Sequence, residues 1–235
     1  MNFFRKIDYN NTSSSIICRN QTYSYKDLFY DINNFNFLAK ERSLVFIISE
    51  NNYECIVAYS GVSYFDSVVL LLDQSIKQEA LNNLINKFKP SYIFQNISRT
   101  AVDNWEVVFK IGVYCFYSIG QLKDYSINKD LSLLLPTSGS TGSPKCVRLS
   151  YSNIYSNTVA ICNYLNISSS DKVITTLPMS YSYGLSIINT HIFKGASIFI
   201  NKKSIIEKSF WENIKKFNIN SFGGVPFTYE ILKKL

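Results

Sequence analysis

The sequence has one histidine, His191, and no Cys-x-x-Cys pair. Zinc sites need clustered cysteine and histidine at short spacing, so that chemistry is excluded. The five cysteines, Cys18, Cys55, Cys115, Cys146 and Cys162, are odd in number and irregularly spaced. Free thiols in a reducing cytoplasm are expected rather than a disulfide framework. No apolar run reaches the roughly 18 residues that a membrane span needs. The first residues, Met1-Asn-Phe-Phe-Arg-Lys-Ile-Asp8, lack the apolar core of a secretory signal. A cytoplasmic chain without a membrane span is therefore expected. Internal repeats and low-complexity segments are also absent.

What remains is ordinary globular material. The 235 residues are 46% hydrophobic, enough for a core, and 15% aromatic, which is high. That length allows one large domain or two small ones. The net charge of +7 comes from scattered lysines and arginines, with no nucleic-acid motif beside them. No nucleic-acid partner is expected; an anionic small molecule explains the charge at least as well.

The front half reads strand, helix, strand, helix, strand. Ser24 can cap a helix with Asp27 at the capping-box position, and Leu28, Ile32, Phe35 and Leu38 follow at helical spacing. Leu44–Ile48, Val68–Leu72 and Tyr92–Phe94 are apolar throughout, the mark of strands covered on both faces. A helix over 51–65 and another, which Ser75 with Gln78 can cap and whose apolar stripe is Ala80, Leu81, Leu84, Ile85 and Phe88, alternate with them. The rhythm predicts an α/β fold, mostly parallel sheets with helices on both faces.

The most informative stretch runs from Leu131 to Val147. Leu131–Leu135 is a buried-strand pattern. Thr137, Ser138, Ser140, Thr141 and Ser143 then supply hydroxyls, Gly139 and Gly142 allow close backbone approach, and Lys145 adds one cation. Such a set makes an anion cradle. It is neither a Walker A loop nor a dinucleotide fingerprint, because the glycines are wrongly spaced and Pro144 precedes the lysine. After it, Ser150 can cap a helix carrying Ile154, Val159, Cys162 and Leu165.

Thr137–Lys145 resembles the signature loop of the adenylate-forming (AMP-binding) superfamily, Thr-Ser-Gly-Ser/Thr-Thr-Gly-x-Pro-Lys-Gly. Only Cys146 departs, where glycine is usual. Leu177-Pro-Met-Ser-Tyr-Ser-Tyr-Gly-Leu185 is similar to the family's Pro-Leu-x-His-x-x-Gly segment, with Tyr181 at the histidine position. Val225-Pro226 resembles its Gly-Val-Pro-Thr step. The resemblance runs from about Thr22 to Leu235 and implies the N-terminal part, over 1–235, of an AMP-binding domain, without the family's small lysine-bearing C-terminal domain.

It implies acyl- or aryl-CoA synthetase-like chemistry: ATP activates a carboxylic acid, and CoA or a carrier protein's phosphopantetheine accepts the acyl group. Thr137, Ser138, Gly139, Ser140, Thr141, Gly142 and Lys145 would bind the nucleotide, and Thr141 would face the Mg2+. Tyr181, Tyr183, Gly184 and Gly224 would bind the acid, with Ile187 and Phe227 hinting at an apolar or aryl group. Tyr181 cannot replace a histidine base, since phenols titrate near about 10. No catalytic side chain is assigned, because the substrate carboxylate is the nucleophile. A non-catalytic remnant, or an anion-binding module that works with a separate C-terminal polypeptide, stays open. His191 reads as a packed core residue on a helix over 185–193.

Overall fold

A computed structural model describes residues 2–12, 15–18, 21–99, 105–120, 125–137 and 145–234. Its elements in chain order are β1 (Ser15–Cys18), β2 (Gln21–Ser24), α1 (Tyr25–Asn33), β3 (Leu44–Ser49), α2 (Tyr53–Tyr64), β4 (Val68–Asp73), α3 (Gln78–Phe88), β5 (Tyr92–Asn96), β6 (Glu106–Ile111), β7 (Tyr114–Ser118), β8 (Leu131–Pro136), β9 (Cys146–Ser150), α4 (Tyr151–Tyr164), β10 (Lys172–Ile174), α5 (Ser182–Lys194), β11 (Ser197–Ile200), α6 (Lys208–Phe217), β12 (Ser221–Phe222) and α7 (Pro226–Leu232). They fall into two units. The first is Met1–Arg5, Tyr30–Glu50 and Glu54–Tyr155; the second is Lys6–Phe29, Asn51–Tyr53 and Ser156–Leu235.

The first unit holds a seven-stranded sheet of order β6-β7-β5-β3-β4-β8-β9. Its centre, β5-β3-β4-β8, is parallel, and antiparallel strands finish both edges. The central strands are apolar throughout because both faces are covered. On one face Leu44, Phe46, Val68, Leu70 and Leu134 pack with Leu81, Leu84 and Ile85 of α3. On the other, Val45, Ile47, Val69, Leu71 and Leu133 are equally buried. Part of the aromatic surplus forms a cluster here: the Phe116 ring lies 4.7 Å from Phe94, 4.8 Å from Phe35 and 5.7 Å from Phe37.

The second unit holds a five-stranded sheet, β12-β10-β11-β1-β2, parallel except for the β1–β2 hairpin. Helix α6 lays Phe210 on Ile174 and Ile219. The Tyr25 hydroxyl, fully buried, donates to the Ala196 carbonyl at 2.7 Å, tying the start of α1 to the strand after α5.

The fold class is as expected, and several local readings hold. Ser24 and Asp27 form a reciprocal capping box: the Asp27 amide donates to Ser24 Oγ at 3.1 Å, and the Ser24 amide donates to Asp27 Oδ2 at 2.8 Å. Ser150 and Asn153 repeat that arrangement at α4. Other readings need correction. Ser75 does not cap α3; its amide and hydroxyl both donate to Asp73 Oδ1, making a turn instead. Leu165 lies just outside its helix and is exposed. Strands β1, β2 and β9 had no counterpart in the sequence reading.

Gly61, in α2, is a tight contact. A Cβ there would stand 2.2 Å from Cδ2 of Phe35, whose ring is fixed by its aromatic neighbours. Gly61→Val should overpack this site and cost about 1–3 kcal/mol or more, read as a lower urea midpoint. A midpoint equal to the parent's would contradict the packing described.

Candidate functional site

The nucleotide-binding residues expected from the sequence belong to the first unit. Strand β8 pairs parallel with β4 at Val69↔Leu133 and Leu70↔Leu134, then antiparallel with β9 down to Pro136↔Cys146. Thr137 closes the hairpin. Its amide donates to the Lys145 carbonyl at 3.0 Å, and its hydroxyl donates to the same oxygen at 3.3 Å. Thr137 is exposed, and these two bonds fix the base of the hairpin. Lys145 is exposed at the point where β9 begins. Ser138, Gly139, Ser140, Thr141 and Gly142 lie outside the described residues. Helix α4 starts directly after β9, at the Ser150–Asn153 cap.

The acid-binding residues expected from the sequence belong to the second unit. Tyr181 is the N-cap of α5, in extended conformation and exposed, as is Tyr183. Neither is part of the core. Gly184 is buried, and a Cβ on it would stand 2.1 Å from the Pro178 carbonyl oxygen. Its missing side chain is thus required by the turn into α5. Gly223 lies against Ile187 and Tyr183: a Cβ would stand 2.6 Å from Ile187 Cδ1 and 3.2 Å from the Tyr183 hydroxyl. Gly224 faces Thr228 and the Tyr229 ring, at 3.0 and 3.2 Å. The Thr176 hydroxyl donates to the Gly223 carbonyl, pinning this bare stretch of backbone to the end of β10. Pro226 is in the first turn of α7, where its missing N–H costs nothing. Phe227 is exposed.

Asn51 is a positioning residue that sequence reasoning missed. Its side-chain amide donates to the Leu177 carbonyl at 2.9 Å, while its Oδ1 accepts from the Met179 amide at 2.9 Å. Both bonds hold the segment that carries Tyr181. The sequence signal was faint, one polar residue ahead of an apolar helix and far from its partners in the chain.

A model of the AMP-binding enzyme family matches residues 3–235. The chain belongs to that family. Among curated relatives, it is 23% identical over 222 residues to the oxalate–CoA ligase of Saccharomyces cerevisiae, an alignment spanning 77% of this chain and 41% of that protein. It is 27% identical over 172 residues to a 2-succinylbenzoate–CoA ligase of Bacillus cereus, covering 70% of this chain and 34% of the relative. It therefore spans well under half the length of these relatives. Apo MatB from Rhodopseudomonas palustris shares the fold at a TM-score of 0.78 and 20% identity, over 100% of this chain and 51% of that one. MenE from Bacillus subtilis, solved with ATP and magnesium, matches at 0.72 and 17%, over 93% and 61%.

His191 lies on α5 as a core residue. Its Nδ1 is 2.8 Å from the Ile187 carbonyl, and burial pulls its pKa below the ordinary value, against smaller upward pulls from that carbonyl and from Asp171. A lowered pKa means that the unfolded chain binds the proton more readily. Stability should therefore fall as pH drops below about 6.5. Asp171 does not blur this window, because its own pKa is lowered, chiefly by the Ser168 amide. Urea midpoints for the parent should decline from about pH 7 to about pH 5.5, and His191→Gln should flatten that decline. An equal decline in the variant would remove His191 as its source.

Proposed function

We propose that the chain is the nucleotide- and acid-binding front of an acid–thiol ligase. ATP would activate a carboxylic acid, and a thiol of CoA or of a carrier's phosphopantetheine would take the acyl group. The carrying observation is the β8–β9 hairpin, whose closed base presents Lys145 at the end of a hydroxyl- and glycine-rich loop. The family membership and the ligase relatives support the same reading.

In this reading a carboxylate oxygen attacks the α-phosphorus of ATP and the bond to the β-phosphate bridge breaks. Pyrophosphate leaves, and Lys145 with the loop hydroxyls stabilises the charge that develops on it. The thiol sulfur then attacks the acyl carbon, AMP departs, and the thiol proton goes to solvent. Among the described residues no three His, Cys, Asp or Glu side chains converge as a metal cage would require. Magnesium would neutralise part of the phosphate charge, with Thr141 as its contact on this chain. Tyr181, Tyr183 and the bare backbone at Gly223–Gly224 would form a wall for the acid, and Phe227 with Ile187 supports an apolar or aryl group there. The relatives' greater length supports further catalytic parts on additional sequence, in this polypeptide or another. Five cysteines, none in a disulfide, fit a cytoplasmic setting.

The test is ATP binding in the presence of magnesium, followed by calorimetry. Lys145→Ala should weaken it by about tenfold or more, the loss of one charge-assisted contact to phosphate. Affinity equal to the parent's would remove the hairpin from the site.

A further inference from the structure

The first unit carries a cavity of about 930 Å³, and of the residues that line it the ligase reading uses only Lys145. It lies on the α3 face of the seven-stranded sheet. Strand alternation decides what lines it: Leu134 is directly opposite Arg148, so Cys146 and Arg148 share the face on which Leu44, Val68 and Leu134 pack. Those three leucine and valine side chains make an apolar floor. Phe88 at the end of α3 and Ile127 in the segment before β8 make apolar walls. The volume is at the upper end of the roughly 300–1,000 Å³ usual for small-molecule sites.

The walls are built. The Tyr125 hydroxyl donates to the Phe88 carbonyl at 2.7 Å and to the Lys89 carbonyl at 3.0 Å, joining the 125–131 segment to the end of α3. From the other side the Arg42 guanidinium donates to the Asn128 carbonyl at 3.2 Å and to the Leu131 carbonyl. The rim is charged and unbalanced. Among the described residues, Lys87, Lys145 and Arg148 line the cavity against a single carboxylate, Asp130. Lys87 is near enough to Cys146 for its charge to pull the thiol's pKa down, although burial outweighs it and leaves the pKa raised.

An apolar floor beneath a cationic rim matches one kind of small molecule. We propose that this cavity is a second ligand site that takes a medium-chain carboxylate, its tail on Leu44, Val68 and Leu134 and its head between Lys87 and Arg148. The proposal stands on the first unit alone and does not require the ligase reading, although Lys145 borders both.

Cys146 reports on the site, because it is the one cysteine of the five that is not buried. Decanoate should slow alkylation of Cys146 by N-ethylmaleimide about tenfold at saturation, while butyrate, with no tail, and decanol, with no charge, should not. Calorimetry should give an affinity for decanoate that falls about tenfold in Lys87→Ala/Arg148→Ala. Both positions are exposed, so the variant should fold; Lys87→Gln/Arg148→Gln, closer in shape, should lose affinity equally. Protection by decanol as strong as by decanoate, or full affinity in either double variant, would overturn the proposal. So would protection by ATP with none by decanoate, which would give the cavity to the nucleotide.

Discussion

The pairing of β8 between β4 and β9 is the constraint on which the rest depends. β8 is the last parallel strand of a sheet buried on both faces, and Leu133, Leu134 and Leu135 anchor it there. The polar residues 138–144 stand between two strands of that sheet, β8 and β9, and the Thr137–Lys145 rung closes the base between them. Lys145 is therefore placed by the core, through the strand that follows it.

The same hairpin serves two surfaces. Residue alternation along β9 sends Cys146 and Arg148 to the α3 face, while Lys145 precedes them at the hairpin's open end. The family's usual glycine would put no side chain at position 146. Here a thiol packs against the hydrophobic cluster around Leu134, on the border of the cavity. The departure from the family pattern thus has a location in the fold, between the base of the β8–β9 hairpin and the apolar face behind it.

Much of this was legible in the sequence because it rests on local chemistry or on apolar runs. The uniformly apolar β3 and β4 could only be strands buried on both faces, and the Ser24 and Ser150 caps follow from spacing alone. What was missed depends on distant partners. β1 is four residues long and gains its place from β11, nearly 180 positions later. β9 reads as the polar tail of a loop, and only its pairing with β8 makes it a strand. Ser75 looked like a cap, but Asp73, two residues earlier, competes for its hydroxyl at 2.6 Å. The rung by which Thr137 holds the Lys145 carbonyl likewise depends on a partner eight residues on, across the hairpin. Asn51 left only a faint signal, since its role exists only once residues 177–179 fold back onto it.

Hydrogen–deuterium exchange on the whole chain, with and without ATP and magnesium, tests the central claim most directly. If the hairpin wraps a polyphosphate, amides between Thr137 and Cys146 gain protection on nucleotide addition while those of the distant β6–β7 edge stay unchanged. Exchange at the hairpin unaffected by nucleotide, with protection appearing elsewhere in the chain, would contradict the account.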